Sequence, residues 1–85
     1  MSQTTRPVAA TVPLSRVLAG ERRVIVSLSG SSRDELEREG LLPGSVVVVR
    51  TRTPLGGPIV VELGRTRLAL SMDVARRVST TAEVP

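Results

Sequence analysis

A run of four valines, Val46 to Val49, lies between two short segments rich in glycine and proline, and it constrains the fold more than any other feature. The β-branched density of residues 45–53 predicts a strand. Apolar side chains occur at both odd and even positions of this strand, so they point to both of its faces. We therefore expect other parts of the chain to cover both faces, as in a small closed barrel. The chain must bend at Gly40 to Gly44 and again at Pro54 to Pro58, since these residues favour turns and end helices or strands.

The residue types that the 85-residue chain lacks exclude several classes of site. It has no cysteine, histidine, lysine or aromatic residue, and its net charge of +4 comes with twelve arginines. Without cysteine it has neither disulfides nor thiolate metal sites, and a zinc or tightly held iron site would need carboxylates alone. Without aromatic side chains it has no stacking platform for bases and no groove for a polyproline peptide. Without lysine it has no Walker A loop.

The same composition argues against catalysis. Hydroxyl groups are the only candidate nucleophiles, and no imidazole or amine side chain is present to activate them. Acidic residues cluster between positions 34 and 39, but the helix dipole and neighbouring arginines explain them better than a cation site does. We therefore predict that the chain is not an enzyme, and the sequence assigns it neither a cofactor nor a metal site. No apolar run approaches the length of a membrane span or a signal peptide core, which predicts a cytoplasmic protein.

Two elements are expected before the central bend region. A single helical turn is predicted over residues 14–18, because all of its apolar side chains share one helical face. The alternation in residues 22–28 predicts a half-buried strand with Val24, Val26 and Leu28 on one face.

The clearest helix is predicted over residues 32–39. Ser32 and Glu35 have the spacing of a capping box, in which each side chain satisfies a backbone N–H at the start of the helix. Leu36 is expected to contact Leu41, just beyond the glycine that ends the helix, and so to complete the usual hydrophobic closure.

A β-hairpin is predicted around Gly64-Arg65, which suits a type II′ turn between strands at residues 59–63 and 66–70. In this register apolar residues meet on one face and an ion pair forms on the other. The pairs are Leu63 with Thr66, Glu62 with Arg67, Val61 with Leu68, and Ile59 with Leu70.

The C-terminal part is expected to close the domain. Ser71 is predicted to cap a helical turn over residues 72–75, and Val78 to begin a short last strand. At this length we expect one folded domain with polar ends. The expected division is a disordered leader at 1–12, a small barrel at 13–79 and a polar tail at 80–85.

The chain contains two short motifs, Gly40-Leu41-Leu42-Pro43-Gly44 and Pro54-Leu55-Gly56-Gly57-Pro58-Ile59. Together with this order of elements, they resemble the FeoA domain, ferrous iron transport protein A. The likeness covers residues 14–79. It implies a mainly β fold, a small SH3-like β-barrel with one or two short helices. It also implies a non-enzymatic protein of bacterial ferrous iron uptake that acts on the cytoplasmic side of FeoB, a membrane transporter with a GTP-binding domain.

The bends and the arginines of the central strand are the candidate partner-binding residues. Leu55 lies at a loop tip with no evident core role, so it is a candidate anchor, and Leu42 is expected to flank the same apolar patch. Arg50 and Arg52 are expected on one strand face that docks an acidic partner or the anionic inner leaflet. A rigid connection and a solvated face are the plainer explanations. The full set is Leu42, Pro43, Gly44, Arg50, Arg52, Pro54, Leu55, Gly56, Gly57 and Pro58.

Other functions stay open. A small basic barrel can bind nucleic acid, although the absent aromatics and the modest charge count against it. Domains similar to FeoA also occur at the C-terminal end of iron-dependent repressors of the DtxR type, so the chain is alternatively a regulatory interaction module of a metal-dependent repressor system. Nothing in it resembles the DNA-binding part of such repressors. Open strand edges also permit a homodimer.

Overall fold

The structure is a computed structural model that describes residues 10–82. Its strands are β1 Val12–Pro13, β2 Arg22–Leu28, β3 Val46–Arg52, β4 Ile59–Leu63, β5 Thr66–Leu70 and β6 Val78–Ala82, and its helices are α1 Arg33–Arg38 and α2 Met72–Ala75. The six strands form one antiparallel sheet in the order β1-β6-β2-β3-β4-β5. This confirms the mainly β fold with two short helices, and β1 and β5 are the edge strands within residues 10–82.

One apolar core lies on the inner face of this sheet, and the valine run shows how it is built. Val47 and Val49 are fully buried, whereas Val46 and Val48 point to the outer face and are half-buried. The valine run therefore contributes side chains to both faces of the sheet, as its composition predicts. The core residues are Leu14, Val17, Ile25, Leu28, Leu36, Leu41, Val47, Val49, Ile59, Val61, Leu70, Ala75 and Val78.

A β-bulge interrupts β2. Its pairing with β6 slips by one residue between Ile25 and Ser27, which leaves Val26 as the extra residue. Ile25 and Leu28 are both buried, whereas Val26 is exposed. The strict alternation predicted for this strand is wrong, because one inserted residue exchanges the two faces.

Helix α1 ends in a Schellman motif. The N–H of Leu41 donates to the carbonyl of Leu36 and the N–H of Gly40 to that of Glu37, each at 3.0 Å, and Gly40 has a φ of 101°. Both leucines are buried, so the predicted hydrophobic closure is confirmed. The predicted capping box is wrong. Ser32 makes no side-chain cap because its backbone, at φ −89° and ψ 2°, is not extended as a capping serine's is.

The hairpin of β4 and β5 has the predicted register at all four predicted pairs. Gly64 has a φ of 60°, as the first central residue of a type II′ turn requires. On the outer face, Nε of Arg67 lies 3.3 Å from Oε2 of Glu62. The predicted ion pair is therefore confirmed as well.

Two further predictions for the C-terminal part are confirmed. Ser71 caps α2, since its Oγ accepts a hydrogen bond from the N–H of Val74 at 3.2 Å. A last strand, β6, begins at Val78.

The sheet extends past both expected domain boundaries. Val12 pairs with Thr80, and the strand continues to Ala82. Thr80 is fully buried, and its hydroxyl donates to the carbonyl of Val12 at 2.8 Å. The segments 1–9 and 83–85, which belong to the expected leader and tail, lie outside the described residues.

Candidate functional site

The two bends lie at opposite ends of β3. Leu42 precedes this seven-residue strand and Leu55 follows it, and a strand of that length spans roughly 20 Å. Both leucines are exposed, Leu42 at 45% and Leu55 at 105%. The prediction that these two leucines flank a single apolar patch is wrong, because the length of β3 separates them.

The first bend is a tight turn fixed by hydrogen bonds. The N–H of Ser45 donates to the carbonyl of Leu42 at 2.9 Å, with Pro43 and Gly44 between them. Gly44 has a φ of 92°, which suits the third position of a type II turn. The hydroxyl of Ser45 also donates to the carbonyl of Gly40 at 3.1 Å. This bend therefore ties the end of α1 to the start of β3.

The second bend has an unusual backbone at Leu55. This leucine has φ 62° and ψ 34°, Gly56 has φ 78°, and the N–H of Gly57 lies 3.4 Å from the carbonyl of Pro54. Positive φ at both central residues is the geometry of a type I′ turn, which favours asparagine and glycine. A leucine in this region costs roughly 1–2 kcal/mol. Leu55 therefore combines a fully exposed apolar side chain with a strained backbone conformation.

A hydrogen bond, and a close approach between Thr53 and Gly57, form the base of this loop. The N–H of Thr53 donates to the carbonyl of Pro58 at 3.2 Å and closes the loop. At Gly57 a Cβ would lie 2.6 Å from Cγ2 and 2.8 Å from Cβ of Thr53, so only glycine fits there. Backbone strain that the surroundings enforce is concentrated at functional sites. The arrangement presents Leu55 at the tip of a closed loop.

Arg50 and Arg52 lie on opposite faces of β3. The pairing of β3 with β4 slips by one residue at Arg50. Arg50 stays on the outer face beside Glu62, whereas Arg52 lies opposite the buried Ile59. The predicted common face is wrong, because a bulge exchanges the faces on its two sides.

Arg52 connects β3 to the N-terminal segment. Its Nη1 donates to the carbonyl of Val17 at 2.6 Å. Next to it, the N–H of Gly20 donates to the carbonyl of Val49 at 2.6 Å. These bonds fix the segment before β2 against the end of β3 that carries Leu55.

Leu18 is exposed, although the sequence pattern predicts that it shares one helical face with Leu14 and Val17. The predicted helical turn is a short 3₁₀ segment, Leu14–Arg16, and Val17 already has extended backbone. Leu18 therefore points outward and is 63% exposed, and its N–H donates to Oε1 of Glu21 at 2.9 Å. Nothing in the apolar spacing separates a 3₁₀ turn from an α-helical one, so the sequence contains no signal for its exposure.

Glu62 lies between two arginines on the outer face. Its Oε1 accepts from Nε of Arg50 at 2.8 Å, and its Oε2 accepts from Nε of Arg67 at 3.3 Å. The hydrogen bond from Arg50, followed by that from Arg67, holds the pKa of Glu62 below its ordinary value. This carboxylate therefore partly neutralises the outer-face arginines.

The described part of the chain shows no metal cluster. Within residues 10–82, no three residues of the types Asp, Glu, His and Cys lie close enough together to hold a metal ion. The one buried polar side chain there, Thr80, is already hydrogen-bonded to backbone.

No helix within residues 10–82 is both long enough and apolar enough to cross a membrane.

Solved structures with the same fold include iron uptake proteins. A crystal structure of the iron uptake regulatory protein FeoA has 32% sequence identity and a TM-score of 0.76, covering 85% of this chain and 96% of that one. Stenotrophomonas maltophilia FeoA complexed with zinc, described as a procaryotic SH3 domain protein, has 28% identity and a TM-score of 0.72, covering 85% and 89%. The fold is therefore SH3-like.

A transcriptional regulator shares the fold at lower sequence identity. A manganese-dependent transcriptional repressor has 18% identity and a TM-score of 0.77, covering 91% of this chain and 44% of that one, which shows the fold alone. None of the curated proteins matches the chain.

The family model of the FeoA domain matches residues 12–81, which include every strand from β1 to β5 and nearly all of β6. The match also contains both glycine-proline bends. The chain therefore belongs to the FeoA domain family.

Proposed function

We propose that this protein is an accessory protein of bacterial ferrous iron uptake that binds the cytoplasmic GTP-binding side of FeoB through the loop at residues 54–58. The iron uptake role is supported by membership of the FeoA family and by the related FeoA structures. The observation that carries the binding site is Leu55, which is fully exposed and has a positive φ.

An exposed leucine on a rigid loop is well suited to anchor a partner. Burying a leucine side chain stabilises a complex by about 1.5–3 kcal/mol. A loop that is already rigid loses little conformational entropy on binding, so more of that free energy contributes to affinity. Leu18 belongs to the segment that Arg52 fixes at the same end of β3, and we include it in the proposed interface.

The proposal is tested with the full chain and full-length FeoB from the same organism in lipid nanodiscs, with and without a non-hydrolysable GTP analogue. We expect Leu55→Asp to weaken binding by about tenfold or more, since a charge replaces the apolar anchor. Val26→Asp is the matched control, because it places the same charge at another exposed apolar position. Thermal unfolding of each variant shows that the fold is intact.

Two results would contradict this proposal in different ways. Unchanged FeoB affinity of a folded Leu55→Asp variant would remove the loop from the interface but leave the partner in place. Failure of the wild-type protein to bind FeoB under either nucleotide condition would remove the partner. Leu42→Asp, at the other end of β3, shows whether the first bend also takes part.

Nucleic-acid binding is the weaker alternative on the geometry. Arg50 and Arg67 both bind Glu62, so two of the outer-face charges are already engaged. A titration with single-stranded RNA at rising salt checks this, since binding through phosphates falls steeply with salt concentration.

A further inference from the structure

Strand β5 forms an open edge of the sheet. Within residues 10–82 it pairs with β4 alone, and its residues Thr66, Arg67 and Ala69 are exposed. The opposite edge, β1, is only two residues long, and Pro13 in it has no N–H to donate. An edge strand with unpaired backbone groups can pair with a strand of another chain. Of the two edges in the described part of the chain, β5 is therefore the one suited to such pairing.

The hairpin geometry determines which backbone groups of β5 point outward. Leu63 and Thr66 flank the two-residue turn, and residues in these positions exchange two backbone hydrogen bonds. Because bonded and non-bonded pairs alternate along an antiparallel ladder, every second residue of β5 then bonds to β4. The N–H and C=O groups of Arg67 and Ala69 point away from β4. The backbone hydrogen bonds found outside the helices and strands of residues 10–82 involve neither residue.

The side chains of β5 suit a second copy of the same strand in one register. In an antiparallel pair centred on Leu68, Arg67 of each copy faces Ala69 of the other. The two-fold symmetry then gives four backbone hydrogen bonds, two at each of these pairs. The two Leu68 side chains face each other on the inner side of the sheet. Since Leu68 is half-buried and packs against the core, a second leucine extends an apolar surface that already exists.

Other registers fit less well. A register centred on Arg67 places two arginines directly opposite each other, which is destabilising. A register centred on Ala69 pairs Arg67 with Ser71, where the chain leaves the sheet and caps α2. The strand is therefore self-complementary when it is centred on Leu68.

The charge of Arg67 does not prevent this pairing. A charged side chain on an edge strand ordinarily opposes contact between two edges. Nε of Arg67 lies 3.3 Å from Oε2 of Glu62 on the neighbouring strand, so its charge is partly balanced within its own sheet. The small side chain of Ala69 leaves space for the arginine of the other copy.

We propose that two copies of this chain associate weakly through β5, in the antiparallel register centred on Leu68. The contact joins the two sheets into one continuous sheet related by a two-fold axis. Five residues from each copy is well below the roughly 20–30 residues a side of a stable interface. The net charge of +4 on each copy also opposes association. We therefore expect a dissociation constant of about 0.1–1 mM.

The test uses the isotopically labelled full chain at concentrations from about tenfold below to about tenfold above that constant. Sedimentation equilibrium measures the dissociation constant, and hydrogen exchange reports on individual amides. We expect exchange at the amides of Arg67 and Ala69 to slow as the concentration rises, because both become hydrogen-bonded in the dimer.

Variants at Ala69 test the register. Ala69→Glu places a carboxylate opposite Arg67 of the other copy, and Ala69→Arg places a like charge there. The first should lower the dissociation constant by about fivefold and the second should raise it by about fivefold, since symmetry makes each change act twice. Ser27→Glu and Ser27→Arg are the matched controls, because Ser27 is exposed on β2, away from both edges. Each control should change the dissociation constant by less than about twofold, and thermal unfolding shows that every variant is folded.

Several outcomes would overturn the proposal. A chain that stays monomeric over the whole concentration range would show that β5 does not pair. Equal dissociation constants for Ala69→Glu and Ala69→Arg would place the contact on another surface or in another register. Protection that rises with concentration only at residues 54–58 would assign self-association to the loop proposed to bind FeoB. None of these measurements contains FeoB, so the two proposals fail separately.

Discussion

Nη1 of Arg52 donates a hydrogen bond of 2.6 Å to the carbonyl oxygen of Val17, a residue 35 positions earlier in the chain. The bond joins the end of β3 to the segment that carries Leu18. The bond also gives Arg52 a structural role. The sequence predicts only a docking role for this residue.

We predict that Arg52→Gln lowers the free energy of unfolding by about 1–2 kcal/mol, because a hydrogen bond from a charged group to a partly buried carbonyl is lost. Arg65→Gln, in the exposed hairpin turn, should change the free energy of unfolding by less than about 0.5 kcal/mol. Urea denaturation of the two variants checks this, and equal stabilities would show that the Arg52 bond contributes nothing.

Local rules predict those elements whose geometry a short segment determines. The hairpin register follows from Gly64 at the first turn position, because that turn sets which residues of β4 and β5 face each other. The closure between Leu36 and Leu41 follows from the glycine between them, which ends α1 in a Schellman motif. In both cases the decisive residues lie within a few positions of one another.

The bulges at Val26 and Arg50 could not be predicted, because the flanking residues fit either face. An extra valine or arginine is acceptable on the outer surface, so nothing local shows where the alternation reverses. The same reasoning applies to Leu18 and to the backbone at Leu55. A leucine carries no local signal for positive φ, and only its surroundings impose that conformation.

The strain at Leu55 predicts that stability and binding respond in opposite directions. Leu55→Asn should raise the free energy of unfolding by about 1 kcal/mol, since asparagine tolerates a positive φ better than leucine does. On the proposed interface, the same variant should also bind FeoB more weakly, because the proposed apolar anchor is removed. Denaturant unfolding and the nanodisc binding assay measure the two effects.

A matched control separates backbone strain from removal of an exposed leucine. Leu42 is also exposed but does not have a positive φ. Leu42→Asn should therefore give no stabilisation. If Leu42→Asn and Leu55→Asn stabilise equally, the gain comes from solvation of the side chain and not from the backbone.

The lowered pKa of Glu62 predicts a dependence of stability on pH. The ordinary value is 4.5, and the hydrogen bonds from Arg50 and Arg67 lower the pKa in the folded state. A group with a lowered folded-state pKa stabilises the fold above its unfolded value, and this stabilisation is lost as the pH falls through the folded value. Glu62→Gln should therefore make unfolding less sensitive to acid below about pH 4.5, and denaturation curves from pH 6 to pH 3 measure the slope.

Glu21 provides a comparison for that experiment. The N–H of Leu18, together with a hydrogen bond from Arg23, lowers the pKa of Glu21 despite an opposing effect of burial. Glu21→Gln should also reduce the loss of stability as the pH falls. The double variant should reduce this loss further, because the two sites are separate. A double variant as acid-sensitive as the wild type would exclude both carboxylates as the cause.

The two serines that precede the helices form a natural pair for testing helix capping. Ser71 has extended backbone, with φ −65° and ψ 156°, and its Oγ accepts from the N–H of Val74. Ser32 has the same side chain but no cap hydrogen bond. Ser71→Ala should therefore lower the free energy of unfolding by about 1 kcal/mol, whereas Ser32→Ala should change it by only a few tenths. Equal losses in thermal or urea unfolding would contradict this difference and would show that Ser32 caps α1 in solution, as its spacing from Glu35 predicts.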